Sequence, residues 1–295
     1  MADLSSEFLT TKELAGLLRI KERKVYELAA SGDVPCSRAT GKLLFPRQAI
    51  DAWVARHSSG MVPERSGNCS RVFLGSYDPL LEWALRTSGA ELATFFDGSL
   101  DGLERFGRGE GVATGLHVYD AAADDWNLPI VQARFGHASV VLLEFAWRER
   151  GLVVAPGSEA EITDIASLKG RRMVPRQGTA GTQVLLQHLL AEAGLGLDDV
   201  VWTDTARTES DLALAVLEGK ADAALGLRAL ASQFRLGFVP LLRERFDLLV
   251  DRRGWFEAPL QGLFEFCRSP AFAAKARELA GYDVSGFGTV HFNGG

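Results

Sequence analysis

Four short stretches of this 295-residue chain combine glycine with small polar side chains where an apolar run ends. They are Gly75-Ser76-Tyr77-Asp78-Pro79, Asp97-Gly98-Ser99-Leu100, Thr114-Gly115-Leu116-His117 and Arg176-Gln177-Gly178-Thr179-Ala180-Gly181-Thr182. Three of them lead directly into a helical pattern. A helix start presents free backbone N–H groups and the positive end of the helix dipole, so such loops suit an anion. Catalysis is not suggested: the chain has no nucleophile-elbow Ser with His and Asp partners and no Gly-x-x-x-x-Gly-Lys phosphate loop. Glu161, Asp164 and Asp247 lack the pairing that acid–base chemistry needs. Cys36, Cys69 and Cys267 are odd in number and lack metal-ligand spacing.

These loops need strands and helices to hold them. From residue 71 onward, short apolar runs alternate with amphipathic stretches. Strands are expected over 71–75, 91–96, 111–116, 139–145, 151–155, 172–175, 200–203, 221–226 and 237–242. Helices are expected over 79–87, 99–107, 165–169, 179–193, 209–218 and 264–280. Alternation of this kind predicts an α/β domain with a mainly parallel, doubly wound sheet. Two βα sets, at about 71–146 and 156–240, predict two lobes, with ligands taken beyond the carboxyl ends of the strands. Residues 285–295 read as a Gly-rich tail.

The first 57 residues follow a different pattern. Thr10 and Glu13 fit a capping box, and Leu14, Leu17 and Leu18 fall on one face of a short helix. A second helix over about 21–31 carries Val25, Leu28 and Ala29 inward and stops at Gly32. Two strands around Ala39-Thr40-Gly41 predict a hairpin wing, and 46–54 a closing helix. Two short helices joined by a tight turn form a helix-turn-helix unit. Residues 58–70 are rich in Ser and Gly and read as a linker. The division is therefore 1–57 for a head, 58–70 for a linker and 71–295 for a body.

Charge supports this split. The formal net charge is -6, which by itself argues against a nucleic-acid partner. The head, however, holds nine basic against seven acidic residues, and the rest 23 against 31. The 47% apolar and 24% charged composition is that of a folded globular chain. No apolar run of about 18 residues or more exists to span a membrane, and no secretory signal opens the chain, so a cytoplasmic location is expected.

Two resemblances sharpen these readings. The strings Leu-Thr-Thr-Lys-Glu-Leu-Ala, Lys-Val-Tyr, Gly-Asp-Val-Pro and Ile-Asp-x-Trp resemble the excisionase-type, MerR-related winged helix-turn-helix module over residues 7–57. The resemblance implies double-stranded DNA as partner, with the second helix in the major groove. Its implied contacts are Thr11, Lys21, Glu22, Arg23, Lys24 and Tyr26 near the helices and Arg38 and Lys42 on the wing. Lys and Arg there would supply phosphate contacts.

The body resembles the periplasmic-binding-protein-like domain of cytoplasmic regulators over about 71–283. Gly-Ser-Tyr-Asp-Pro-Leu-Leu, Gly-Leu-His-Val-Tyr-Asp, Trp-Arg-Glu-Arg-Gly-Leu and Arg-Gln-Gly-Thr-Ala-Gly-Thr carry this likeness. Related domains occur in tungstate- and molybdate-responsive regulators, and the implied fold is that of type 2 binding proteins. The resemblance implies ligand contacts from Ser76, Tyr77, Ser99, His117, Arg148, Arg176, Gln177, Thr179 and Thr182; an organic anion would also use an aromatic such as Tyr77 or Trp147. An ion pair with Glu149 or Glu144 is the alternative use of Arg148, and a structural hydrogen bond that of His117. No cofactor is implied beyond a small anionic effector.

The expectation is thus a non-enzymatic, ligand-responsive DNA-binding regulator, acting as a homo-oligomer and sensing an oxyanion such as molybdate or tungstate. An organic anion or molybdopterin-type metabolite is the alternative effector. A ligand-independent architectural DNA-binding protein is the alternative of a different class.

Overall fold

The computed structural model describes residues 8–37, 41–47, 49–50, 53–54 and 70–295. By internal contacts the chain divides into two compact units, Met1–Ser66 and Gly67–Gly295. Arg38, Cys69 and almost all of the expected linker lie outside the described residues.

In the first unit, β1 (Phe8–Leu9) pairs antiparallel with β2 (Phe45–Pro46) around α1 (Thr11–Leu18) and α2 (Glu22–Ser31). The capping box forms as expected. Glu13 N donates to Thr10 Oγ1 at 3.3 Å, and Thr10 N donates to Glu13 Oε2 at 2.7 Å. Gly32 ends α2 with φ 79°, a left-handed conformation that glycine adopts without steric cost. Leu14, Val25, Ala29, Val34, Phe45 and Ile50 form the core. Leu17, expected on the buried face, is 46% exposed. Ser37 and Leu44 bridge across the wing, and residues 47, 49, 50, 53 and 54 are helical.

The second unit begins with β3 (Val72–Gly75), α3 (Pro79–Thr87), β4 (Ala93–Phe96), α4 (Ser99–Gly107) and β5 (Ala113–Leu116). A small hairpin, β6 (Tyr119–Asp120) with β7 (Asp125–Trp126), leads into α5 (Leu128–Phe135). The long strand β8 (Val140–Val154) follows. Next come β9 (Arg172–Met173), α6 (Gly181–Glu192), β10 (Val201–Trp202), α7 (Glu209–Leu217), β11 (Ala223–Leu227) and α8 (Arg228–Phe234). A second long strand, β12 (Gly237–Asp251), precedes α9 (Arg252–Trp255), α10 (Ala258–Cys267), α11 (Pro270–Leu279), β13 (Tyr282–Asp283) and β14 (Val290–Asn293).

The main path of the sheet runs β10-β9-β11-β8-β12-β5-β3-β4. Parallel pairs occur at both ends, β3 with β4 and β5, and β9 with β10 and β11. Between them β8 and β12 run antiparallel through fourteen residue pairs. The sheet is therefore mixed rather than mainly parallel. The expected strands 139–145 and 151–155 are one strand, and 237–242 is the first part of another. The reason is physical: Trp147-Arg148-Glu149-Arg150 and Arg243-Glu244-Arg245 interrupt the apolar runs, yet their charges are satisfied inside the fold.

The crossing makes two lobes. Residues 247–250 of β12 pair with β5, whereas residues 237–242 lie beside the part of β8 that pairs with β11. One core gathers Phe73, Leu81, Phe145, Phe246, Leu263 and Phe272, and another Leu152, Ile162, Leu168, Met173, Leu186 and Leu225. The expected helix 264–280 is two helices, divided where Ser269 caps α11 by accepting from Phe272 N at 3.2 Å. The expected tail is also structured, since β14 pairs with β8 through Val290, Phe292 and Asn293.

Candidate functional site

The ends of β3, β4 and β5 converge. Ser76 N donates to Gly115 O at 2.8 Å and Gly98 N to Gly75 O at 3.1 Å. Gly75 has φ 101°, and a side chain there would strike the Gly115 backbone. This close approach places the hydroxyls of Ser76 and Ser99 2.7 Å apart, with His117 N donating to Ser99 Oγ at 3.2 Å. All three residues are buried. Tyr77 lies at the margin, its hydroxyl donating to Glu82 at 3.0 Å and its ring edge-on to Phe96.

Behind these hydroxyls runs a continuous chain of buried ion pairs. Strand periodicity puts Arg148 and Arg150 on one face of β8, and Glu244 sits directly opposite Arg148 on β12. Arg148 Nη1 donates to Asp78 Oδ2 at 2.8 Å, and its Nη2 pairs with Glu244 Oε1. Glu244 Oε2 lies 2.7 Å from Arg150 Nε, close enough to pair but not aligned for a hydrogen bond, and 3.1 Å from His117 Nδ1. Arg150 then reaches Glu209 at 3.4 Å, as does Arg176 at 3.2 Å and the Thr182 hydroxyl at 2.8 Å. Asp78 also caps α3 by accepting from Leu81 N at 2.7 Å, and it accepts from the Tyr282 hydroxyl at 2.6 Å.

Electrostatics follow from burial and pairing. Burial pushes the Glu244 carboxyl up, but the Arg148 and Arg150 guanidiniums outweigh this and hold it well below the usual carboxylate range. Glu209 is lowered the same way, with Arg150 and Arg176 overcoming its burial. Burial lowers the His117 imidazole despite Glu244 beside it, so the ring is neutral near pH 7, and a hydrogen bond to the carboxylate requires the tautomer that carries its proton on Nδ1. Three guanidiniums and three carboxylates therefore share one buried space.

The lobes meet in front of this chain. Leu100 N, in the first turn of α4, donates to Thr179 O at 3.0 Å. Gln177 Nε2 and Thr179 Oγ1 each donate to Asp97 O at 3.3 Å, and Arg207 pairs with Asp97 at 2.9 Å.

The structure brings Ser76, Ser99, His117, Arg148, Arg176 and Thr182 into or beside this space, with Gln177 and Thr179 at the lobe contact and Tyr77 at the edge. Arg148 pairs with neither Glu149 nor Glu144 but with Asp78 and Glu244. Trp147 is corrected: it faces the opposite side of β8, where Arg243 lies 5.6 Å from its ring centre. Sequence reasoning missed Asp78, Arg150, Glu209, Glu244 and Tyr282. The legible signal was Arg-x-Arg at strand period inside apolar sequence, which marks two cations on one buried face.

In the head, Lys21 is the residue just before α2 and makes no side-chain capping bond, and Glu22, Arg23, Lys24 and Tyr26 are exposed on its first turns. Lys42 is exposed on the wing and Thr11 half-buried at the start of α1. No helix among the described residues is long and apolar enough to cross a membrane.

Comparisons agree with both units. Residues 82–268 match the family model of a PBP superfamily domain, and residues 8–58 a helix-turn-helix domain. A Bacillus subtilis (strain 168) protein, YvgK, is 27% identical over 95% of this chain and 96% of its own length. A Clostridium perfringens ABC transporter substrate-binding protein solved with bound phosphate aligns with TM-score 0.51 and 11% identity, over 70% of this chain and 96% of that one. The effector-binding domain of QuiR, solved with shikimate, aligns with TM-score 0.46 and 13% identity, over 68% and 94%. The likeness to the Clostridium perfringens protein describes the fold alone: a mixed α/β domain of the type 2 binding-protein kind, which follows the helix-turn-helix head in the sequence.

Proposed function

Since the chain belongs to the PBP superfamily and carries a helix-turn-helix head, we propose that it is a DNA-binding regulator that senses a small molecule between its two lobes. The observation that carries this reading is the pairing, in one chain, of a helix start bearing exposed Lys21, Arg23 and Lys24 with a two-lobed domain whose polar residues converge at the lobe crossing. The effector acts by favouring one arrangement of the lobes, which requires different affinities for two states. In this reading α2 enters the major groove, with phosphate contacts from Lys21, Arg23 and Lys24 at its start and from Arg38 and Lys42 on the wing, and Glu22, Tyr26 and Thr11 beside them. A homo-oligomer presents two heads to one operator. Residues 1–57 serve DNA, 58–70 link, and 71–295 sense.

The effector carries an anionic group, taken by the Ser76 and Ser99 hydroxyls, with Arg176, Gln177, Thr179 and Thr182 from the other lobe. Molybdate or tungstate fits a site built from hydroxyl and N–H donors. An organic anion is the second reading, and one observation favours it: Arg148, Arg150 and Arg176 are each already paired with carboxylates. A bare dianion would enter without a free countercharge.

Thermal denaturation of the full chain with molybdate, tungstate, phosphate and a set of organic acids tests the reading. Stabilisation by one of them, with a change in DNA affinity at the same concentration, is expected. If none stabilises the chain or alters DNA binding, the ligand-independent architectural role replaces sensing.

A further inference from the structure

Resting on the reading that the lobes enclose an effector, we propose that Glu209 receives an N–H donor from that effector, which is therefore a zwitterionic organic molecule rather than a bare oxyanion. The starting observation is an asymmetry within one carboxylate. Glu209 Oε1 accepts from Thr182 at 2.8 Å and from Arg176 at 3.2 Å, and Arg150 approaches the same oxygen at 3.4 Å. Glu209 Oε2 is buried and has no hydrogen-bond partner among the described residues, in a side chain only 3% exposed. Buried acceptors are rarely left unmade, because the lost hydration is not repaid.

The position of this oxygen points to a ligand. Glu209 opens α7 in one lobe and touches Arg150 on the crossing strand. Arg150, 3.4 Å from Glu209, lies 2.7 Å from Glu244, whose same oxygen is 3.1 Å from His117 at the end of β5 in the other lobe. Glu209 thus stands at the crossing of the two lobes, where an enclosed molecule would lie.

The charge balance sets the ligand class. Arg148, Arg150 and Arg176 face Asp78, Glu244 and Glu209, and His117 is neutral. This buried set is already neutral. A dianion would leave it with two uncompensated charges, and a simple cation with one. A molecule whose anionic group is matched by its own ammonium adds no net charge. Its N–H also supplies the one donor that Glu209 Oε2 lacks.

The test is calorimetric titration of the full-length protein with matched pairs: straight-chain carboxylates of two to six carbons and their amino-bearing counterparts, beside molybdate and phosphate. At least one amino-bearing member is expected to bind tenfold or more tightly than its partner, and Glu209→Gln to erase that preference. Because wild-type discrimination is itself a readout, the test survives a variant that fails to fold. Equal or tighter binding of the bare carboxylates, molybdate or phosphate overturns the inference and leaves small-molecule sensing intact. A preference unchanged in Glu209→Gln also overturns it. Binding by no probe overturns it too and counts against sensing at this site.

Discussion

The head and the lobe crossing use the same residue types in opposite ways. On α2 the Arg23 side chain is 91% exposed and meets Glu27 loosely at 3.3 Å. At the crossing Arg148 and Arg150 are 1% and 0% exposed and fixed between carboxylates. An exposed guanidinium contributes little to folding but remains available to a phosphate. A buried one is held by its partners, and removing a partner leaves a charge that nothing solvates. Charge therefore serves recognition of a partner in one region and shapes the interior in the other.

The largest break in this contrast is Glu244→Ala. It strips Arg148, Arg150 and His117 of their shared acceptor and is expected to cost about 3–5 kcal/mol, read by denaturant unfolding. A loss under 1 kcal/mol would place the crossing on the same footing as the surface.

The next largest effect concerns Asp247, buried between Arg245, whose Nε donates at 2.9 Å, and Asn127, whose Nδ2 donates at 2.8 Å. Burial outweighs these partners and raises its carboxyl to about 6. A folded value above the unfolded one means the folded state holds the proton more tightly. The associated stability is complete below pH 3.8 and is lost as pH rises through about 6. The loss is up to about 3 kcal/mol at roughly 1.4 kcal/mol per unit. Glu244 and Glu209 behave oppositely: their contribution is present above 4.5 and lost as pH falls through their lowered folded values. Asp247→Asn should flatten the stability profile between about pH 4 and 6, measured by thermal denaturation across pH, and leave the acid limb unchanged.

Arg23→Ala with Lys24→Ala probes the head. Loss of two phosphate contacts lowers the salt slope by about 2 and DNA affinity by roughly 50-fold at about 0.1 M salt. Folding stability should move by no more than about 0.5 kcal/mol. Fluorescence anisotropy across salt, paired with unfolding curves, checks both. A stability loss without an affinity loss would invert the comparison. The smallest effect is Thr10→Ala, which removes the α1 capping box for about 1 kcal/mol of stability and should leave binding to the sensing domain unchanged.

The local elements were the most legible. The 79–87 and 99–107 helices have the bounds that the sequence predicts, because Asp78-Pro79 and Gly98-Ser99 are start signals read over a few residues. The crossing strands were the least legible. Polar residues in the middle of an apolar run look like a turn unless their partners are known. The C-terminal strand was hidden for a similar reason: β14 exists only because β8 offers it an edge.

Residue type and spacing alone determined the helix-turn-helix head, the alternation of strands and helices, and the hydroxyl loops at the strand ends. Each is signalled by caps, turn residues and apolar spacing read over a few residues, although the head's own core joins Leu14 to Phe45 and Ile50. Tertiary structure decided what Arg148 does. Its partners Asp78 and Glu244 lie 70 and 96 residues away along the chain. No local pattern encodes such distances, because a charge buried between lobes is stabilised by whichever opposite charge the fold delivers to it.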